Sequence, residues 1–331
     1  MAHEISTLDP LTSPAEALRP AGAVIEDAEG EGDGLPPRSA DDAVAVWRVP
    51  HPKAERRIEV LGELDDPDGV LVFELDTTVE NGHVAFVNVA VPRARRRQGF
   101  GRFLVDHGLQ LAAQAGRRTV LAVSIPGHEQ TARAVGPVLG FEAALVMRAS
   151  TLLLAEVDRE MVARWSGALH PDYDLLVFED TIPEDYVAAH IEAVLAMNDA
   201  PRDELDVADE VPDPRMIRYW EAVIRAGGGR RLSALALHRE TGSGAGFSSV
   251  SWEPGRHTVV WQGGTGVAAA HRGRALGRVL KARVIQHLAD LAPDATEIRT
   301  DNAHTNPWML RINDDLGFRP HANVIEWQRK L

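Results

Sequence analysis

Two short basic turns carry the residue types that can hold a phosphorylated ligand. Residues 96–101 read Arg-Arg-Gln-Gly-Phe-Gly, and residues 272–277 read Arg-Gly-Arg-Ala-Leu-Gly. Each turn follows an apolar, strand-like run and precedes a helical pattern. Glycine lets a backbone come close to a ligand, and the outward N–H groups and the dipole at a helix start favour negative charge. The arginines add donors that suit phosphate oxygens. The chemistry predicted for both turns is the binding of a pyrophosphate.

The two turns belong to a longer repeat. They lie 176 residues apart, with a valine before each and a leucine after each, and Leu-Gly-Phe at 139–141 recurs at 316–318. A solenoid repeats every ~20–50 residues, so a period near half of the 331-residue chain indicates two similar tandem domains.

Hydrophobic patterns and punctuation predict the elements that position the turns. Both halves show strand, turn, helix and strand in that order, and the second half also shows two helices between its first strands. Residues 41–150 are the predicted first domain, with a strand near 43–48, and acceptor-side helices are not evident in it. Residues 151–173 are a predicted connector, and 174–331 form the second domain. Residues 1–40 are acidic and rich in glycine and proline, which predicts a mobile segment.

The turns and the residues after them carry a family resemblance. The spacing Arg-x-x-Gly/Ala-x-Gly between a strand and a helix, followed by Leu-Gly-Phe, resembles the acetyl-CoA site of the GCN5-related N-acetyltransferases. In the second half Asn302, Asn306, Met309 and Asn313 follow at spacings similar to those of tandem actinobacterial members. The resemblance implies an α/β (α+β) fold of two tandem domains, each a mixed, mostly antiparallel sheet flanked by helices.

The resemblance also implies a ligand and a reaction. Acetyl-CoA would be the co-substrate, and its acetyl group would pass directly to an amine of a small molecule or peptide. The residues expected to bind it are Val91, Arg96, Arg97, Gln98, Gly99, Phe100, Gly101, Arg102, Val267, Arg272, Gly273, Arg274, Ala275, Leu276, Gly277, Arg278, Asn302 and Asn306. Asn302 and Asn306 have an equal alternative as caps of the helix that begins near Pro307.

Two residues are candidates for catalysis. An alkyl amine, with a pKa near ~10.4, must lose a proton before it can attack, and Glu253 is the first candidate base. Its alternative is a place in the exposed turn 253–255. The family's proton-donating tyrosine has Asn313 as its counterpart in the second half and Gly136 in the first. Asn313 can donate a hydrogen bond but no proton at useful pH. Gly136 has no side chain to donate either, so we predict chemistry in the second domain.

Acidic residues between the two predicted helices of the second half suggest an amine pocket or, equally, a solvated loop. They are Asp199, Asp203, Glu204, Asp206, Asp209, Glu210 and Asp213. A net charge of −14 argues against nucleic acid as a partner and for a cationic one.

Composition limits the other classes of function. The chain has no cysteine, which excludes disulfides and thiolate chemistry, and its histidine spacing predicts no metal site. No leader-like or membrane-spanning run is evident, which predicts a cytoplasmic protein with no membrane partner. Two further functions stay open: a CoA-binding module without turnover, and an acyltransferase with another acyl donor or a hydroxyl acceptor. The sequence predicts no oligomeric state.

Overall fold

The chain forms two compact units, and neither is one continuous stretch of sequence. The computed structural model describes residues 4–256 and 258–331. The first unit comprises residues 4–147, 202–208 and 323–331, and the second comprises 148–201 and 209–322 without residue 257. The prediction placed the boundary between the domains at residues 151–173. It is wrong for residues 202–208 and 323–331, which belong to the first unit.

The first unit is a sheet with helices on both faces. Its strand order is β1-β2-β3-β4-β5-β12, with only β4 and β5 parallel among the pairs described. Its elements are β1 (Ile5–Leu8), α1 (Ala15–Asp33), α2 (Ala40–Trp47), β2 (Ala54–Gly62), β3 (Pro67–Asp76), β4 (Val84–Ala90), α3 (Phe100–Gln114), β5 (Thr119–Ser124) and α4 (Glu129–Val135), with part of β6 (Glu142–Leu153) and of β12 (Arg319–Lys330).

The N-terminal segment is structured, which corrects the prediction that residues 1–40 are mobile; residues 1–3 lie outside the described part. Leu18, Ala21 and Ile25 recur at helical spacing on α1 and are buried. They pack with Trp47 of α2 against Ile58 and its neighbours on the sheet. Because the rest of α1 is rich in glycine and acidic residues, the composition of the segment does not show this apolar stripe. The predicted strand near 43–48 is likewise wrong, because Ser39 and Asp42 form a capping box that starts α2.

The last strand of the chain completes the first unit. Residues Ile325–Lys330 of β12 pair antiparallel with Ser124–Thr119 of β5. Ile325 and Trp327 lie in the same buried cluster as Leu104 and Ala112 of α3. Because this strand is far away in sequence, local patterns do not reveal its place.

The second unit repeats this arrangement. Its strand order is β11-β10-β9-β8-β7, again with only one parallel pair described, β10 and β11. Its elements are α5 (Arg159–Gly167), β7 (Tyr173–Glu179), α6 (Glu184–Val194), α7 (Pro214–Ala226), β8 (Arg230–His238), β9 (Gly244–Trp252), β10 (Val259–Val267), α8 (Leu276–Leu291), β11 (Glu297–Ala303) and α9 (Pro307–Leu316).

Both faces of the second sheet are covered, so each unit has the predicted mixed, mostly antiparallel architecture. α8 packs on one face through Leu280 and Val284, among others. The predicted connector contains α5, whose Val162 joins this cluster. α6 and α7 cover the other face, where Val194 packs on Phe247 of β9. Nowhere in the described ranges is a helix long and apolar enough to span a membrane.

Candidate functional site

The two basic turns have the same backbone geometry. Each contains two residues with positive φ at corresponding positions: Arg97 (65°) and Gly99 (93°) in the first, Gly273 (79°) and Ala275 (57°) in the second. Only glycine adopts this conformation without steric cost. Each turn therefore has one glycine where the other has a larger residue, which shows that the two sequences specify one shape.

Hydrogen bonds within the turns are also duplicated. Arg96 donates through Nε to the carbonyl of Val91 (3.0 Å), and Arg272 does the same to Val267 (3.1 Å). Gln98 and Arg274 each donate to the carbonyl four residues earlier. These side chains hold the strand end against the turn, so the turn is built before any ligand arrives.

The helix starts that follow are open to an anion. α3 begins at Phe100 and α8 at Leu276, and no side chain caps either N-terminus. The next residues, Gly101 and Gly277, have room for a Cβ: the nearest atoms to it would be 3.7 Å and 3.4 Å away. Uncapped N–H groups at a helix start make an anion-binding site when an arginine stands beside them.

One carboxylate pairs with the leading arginine of each turn. Glu31 of α1 binds Arg96 (2.8 Å) and Arg93 (2.9 Å), and these hydrogen bonds lower its pKa to about 2. In the second unit Asp199, just after α6, binds Arg272 at 2.5 Å. Both pairs are at least partly exposed, so an incoming phosphate can replace the carboxylate at small cost.

Two predicted arginines have other partners. Arg278 pairs with Asp315 (2.6 Å) and lies over the ring of Trp165. Arg102 is exposed and lies 3.7 Å from Asp106, one helical turn on. Arg278 of α8 is thus held by α9 and α5, whereas the Arg102 pair lies within α3 alone.

Beside each turn the two parallel strands separate. β10 pairs with β11 only from Val259 to Trp261 in the described residues, although β10 continues to Val267. β4 and β5 pair over three residues in the same way, from Val84 to Phe86. The last half of each long strand thus presents unpaired backbone to an opening that leads to the turn.

A bulge marks β10 at this opening. Its register with β9 shifts between Gln262 and Thr265, across Gly263 and Gly264. A Cβ at Gly263 would lie 2.7 Å from Ser249 Oγ, so the hydroxyl of Ser249 would have to rotate away to admit a side chain there. A Gly-Gly pair inside a strand pattern is the sequence signal by which this bulge could have been predicted.

Two predicted asparagines meet across the same opening. Asn302 lies on β11 beyond the point of separation, and Asn313 of α9 donates from Nδ2 to Asn302 Oδ1 (2.6 Å). Asn313 is 1% exposed, and its Oδ1 has no partner among the described residues. A buried acceptor without a donor is costly, so this oxygen favours a ligand that brings an N–H.

Asn306 has the alternative role. Its side chain accepts the N–H of Met309 (3.2 Å) and caps α9. The structure therefore assigns it to the helix start, one of the two interpretations left open by the sequence.

Comparison of the whole chain with solved structures identifies this arrangement. A tandem GNAT protein from the clavulanic acid biosynthesis pathway is similar over 99% of this chain and 98% of its own, with 25% identity and a TM-score of 0.79. The chain has the tandem GCN5-related N-acetyltransferase fold. Two GCN5-related N-acetyltransferases are similar in fold: one from Sphaerobacter thermophilus (16% identity, 98% and 95% coverage, TM-score 0.61) and one from Kribbella flavida (15%, 99% and 71%, 0.51). No family model and no curated sequence matches.

The first unit has no room for a proton donor at the position that the resemblance matches to the family's tyrosine. Gly136 occupies it, and a Cβ there would lie 2.8 Å from the ring of Trp327. Trp327 is buried and donates through Nε1 to Ser124 (3.1 Å). The glycine is thus required by the strand that completes this unit.

We expect Gly136→Ala to lower the free energy of unfolding by about 1–3 kcal/mol, because its methyl group overlaps Trp327. Val135→Ala, at a neighbouring side chain that is 40% exposed, is the control and should change little. Denaturant unfolding measures both; equal stability of the two variants would show that Trp327 does not fill this space.

Helix α1 bridges the strand opening of the first unit. Its Glu29 is hydrogen-bonded to Asn88 of β4, and the carbonyl of Ala28 lies 2.9 Å from Nε2 of His128, which follows β5. Gly32 packs against Gly127 so closely that a Cβ on Gly127 would overlap it. α1 therefore reaches both sides of the gap through which a cofactor arm would pass.

In the second unit Glu253 lies away from the opening, contrary to its prediction as a base. It follows β9 at Trp252, which pairs with Val260, and its carboxylate is ion-paired with Arg256. Four residues of extended strand, about 13 Å, separate it from Ser249 at the bulge. Its alternative place in the turn is the observed one.

The acidic residues from 199 to 213 have separate partners. Asp203, Glu204 and Asp206 lie in the first unit, where Asp206 binds Lys330 and Thr119. Asp213 caps α7 through the N–H of Met216, and Asp199 holds Arg272. Asp206, Asp213 and Asp199 thus each have a structural partner, and the amine pocket stays a prediction.

Proposed function

We propose that this chain is an acetyl-CoA-dependent N-acetyltransferase whose second unit transfers the acetyl group to an amine of a small molecule or peptide. The observation that carries the proposal is one opening in that unit. It has the uncapped start of α8 and Arg272 at one end and the buried Asn302–Asn313 pair at the other. The similarity of the whole chain to a tandem GNAT protein supports the acyltransferase class.

The residues of this opening fit acetyl-CoA by chemistry and position. The turn 272–277 would hold the pyrophosphate on its N–H groups and arginines. The orphan Oδ1 of Asn313 suits an amide N–H, which a pantetheine arm contains. When bound, acetyl-CoA supplies an activated acyl group on a thiol.

Backbone groups of β10 would stabilise the charge that develops on the acyl oxygen. Beyond Trp261 these groups have no partner strand on the β11 side in the described part of the chain. Donors fixed in a water-poor site lower the barrier most when they are aimed at developing charge. The bulge at Gly263 and Gly264 is the part of β10 that can turn an N–H toward the opening.

No protonating side chain is expected at Asn313, since an amide cannot transfer a proton at useful pH. A thiol titrates near ~8.5, so the thiolate is a tolerable leaving group. The amine must be deprotonated before attack, and we expect the rate to rise with pH until the acceptor is neutral.

The second unit is favoured over the first by two observations. Trp327 occupies the space beside Gly136, and α1 bridges the first opening. We propose that the first unit completes the fold or binds CoA without chemistry.

The function is tested by incubating the protein with acetyl-CoA carrying a labelled acetyl group and a mixture of small amines and short peptides. Mass spectrometry of the mixture should show a labelled acetyl amide that is absent without protein. Binding of acetyl-CoA with no product from any amine or alcohol would favour the CoA-binding module without turnover. A series of donors with longer chains, and alcohols in place of amines, tests the acyltransferase alternatives.

We expect Asn313→Leu to weaken acetyl-CoA binding about tenfold, because it removes the orphan oxygen and leaves Asn302 Oδ1 without its donor. Arg311→Gln, at an exposed position of the same helix, is the control. Calorimetric titration measures both. Equal affinity of Asn313→Leu and wild type would remove Asn313 from the cofactor site.

A further inference from the structure

A polar stripe crosses the sheet face that α6 and α7 cover. In the register of β8 and β9, Arg231 is opposite Ser251 and Ser233 is opposite Ser249. The next pair on this face, Leu235 and Phe247, is apolar and packs on α6. Polar residues in the interior of a covered sheet face need hydrogen-bond partners.

Arg231 has too few partners for a buried cation. It is 8% exposed, and its Nε donates to Ser233 Oγ (3.1 Å). Its terminal nitrogens keep some solvent exposure, so they can hydrogen-bond to water or to a ligand. Burial lowers its pKa, and Glu221 opposes this effect. Both oxygens of Glu221 already bind Arg218, which also pairs with Glu184. Glu221 therefore serves two arginines, and a further anion at Arg231 would be favourable.

His190 of α6 adds a second group without a partner. It is 0% exposed, and neither ring nitrogen has a hydrogen-bond partner among the described residues. Burial, and then the charge of Arg231, lower its pKa to about 3, so the ring is neutral and has one N–H to donate. Its ring stacks edge-on to Phe247, with centroids 5.6 Å apart.

The stripe begins beside the proposed reaction centre. Ser249 lies directly under Gly263 of the β10 bulge, and Ser233 is its partner one strand further on. Two strand spacings, about 10 Å, therefore separate the bulge from β8. An acceptor with its amine at the bulge can extend along the stripe and place a second group near Arg231.

Resting on the proposed function, we infer that Arg231, helped by His190 and the serines of the stripe, binds a carboxylate of the acceptor. The acceptor class is then an amine that also carries a carboxylate: an amino acid or a short peptide with a free C-terminus. A guanidinium fork suits a carboxylate because it can donate two parallel hydrogen bonds.

Binding of reaction products tests this subsite without requiring turnover. N-acetyl amino acids and N-acetyl dipeptides, each beside its C-terminal carboxamide, are titrated into the protein in the presence of CoA. At least one acid should bind about 10- to 100-fold more tightly than its amide, which is the effect of losing charge-assisted hydrogen bonds. Arg231→Gln should abolish this preference, and Arg231→Lys, which keeps the charge without the fork, should keep part of it.

Arg215→Gln is the matched control, because Arg215 is an exposed α7 arginine paired with Asp213. It should keep the full preference. Equal binding of acids and amides by wild type, or an unchanged preference in folded Arg231→Gln, would overturn the subsite and make Arg231 a structural cation only. Transfer to amines without any carboxylate preference would refute the subsite and leave the proposed function intact. Carboxylate binding through Arg231 with no transfer to any amine would refute the proposed function and leave the subsite intact.

Discussion

Gly277→Glu should abolish high-affinity acetyl-CoA binding, while Gly101→Glu should leave it within about twofold of wild type. Both glycines lie one residue inside a helix whose N-terminus is uncapped. A Cβ at either position makes only ordinary contacts, so both variants should fold. A glutamate at a helix start even favours the helix, but its carboxylate occupies the place of the pyrophosphate and repels it. We expect a loss of about 100-fold or more in Gly277→Glu.

Calorimetric titration compares both variants with wild type, for which we expect one high-affinity acetyl-CoA site per chain, in the second unit. The two substitutions are matched in chemistry and position, so a difference between them reports which unit binds. Loss only in Gly101→Glu would place the cofactor in the first unit and contradict the role given to α1 there. No binding by wild type would refute the enzyme proposal.

Gly244→Ala should cost about 3–5 kcal/mol of folding free energy. Gly244 begins β9, and a Cβ there would overlap the carbonyl oxygen of Ala189 in the middle of α6. The same contact is held by a hydrogen bond from the Gly244 N–H to Glu192 Oε2 (2.8 Å). Backbone on both sides cannot move aside as a flexible side chain can, so α6 must shift away from the sheet.

The control for this variant is Gly167→Ala at the end of α5, where a Cβ meets no atom within 4 Å. It should be neutral or stabilising by up to about 1 kcal/mol. Denaturant unfolding compares the two. If Gly244→Ala is as stable as Gly167→Ala, α6 does not lie on β9 as described, and the acceptor face must be redrawn.

Local patterns were sufficient for the parts of the fold that repeat. The turns at 96–101 and 272–277, the helices that follow them and the Leu-Gly-Phe segments have the same geometry in both units because each depends on neighbours in sequence. The pairing of Asn302 with Asn313 also agrees with their spacing, because β11 leads directly into α9.

Features set by distant residues were missed. The acidic, glycine-rich composition of residues 1–40 does not show the stripe of Leu18 and Ile25 that packs α1 on the sheet. Trp327 fills the first unit from the far end of the chain, and no local signal connects it with Gly136. Glu253 is the first candidate base because it follows a strand, but the register of β9 and β10 pairs the preceding residue, Trp252, with Val260, at the end of β10 away from Val267. In the sequence Arg231 resembles an exposed cation near the start of a strand. Only the packing of α6 and α7 on the sheet shows that it is buried.

The most direct test of chemistry in the second unit is release of free CoA thiol, measured with a thiol reagent. The chain has no cysteine, so every thiol that appears comes from the donor. Wild type, Gly101→Glu and Gly277→Glu are compared with acetyl-CoA in the presence and absence of the best amine acceptor. We predict amine-dependent release by wild type and Gly101→Glu and none by Gly277→Glu. Full release by Gly277→Glu, or loss of release only in Gly101→Glu, would contradict the assignment.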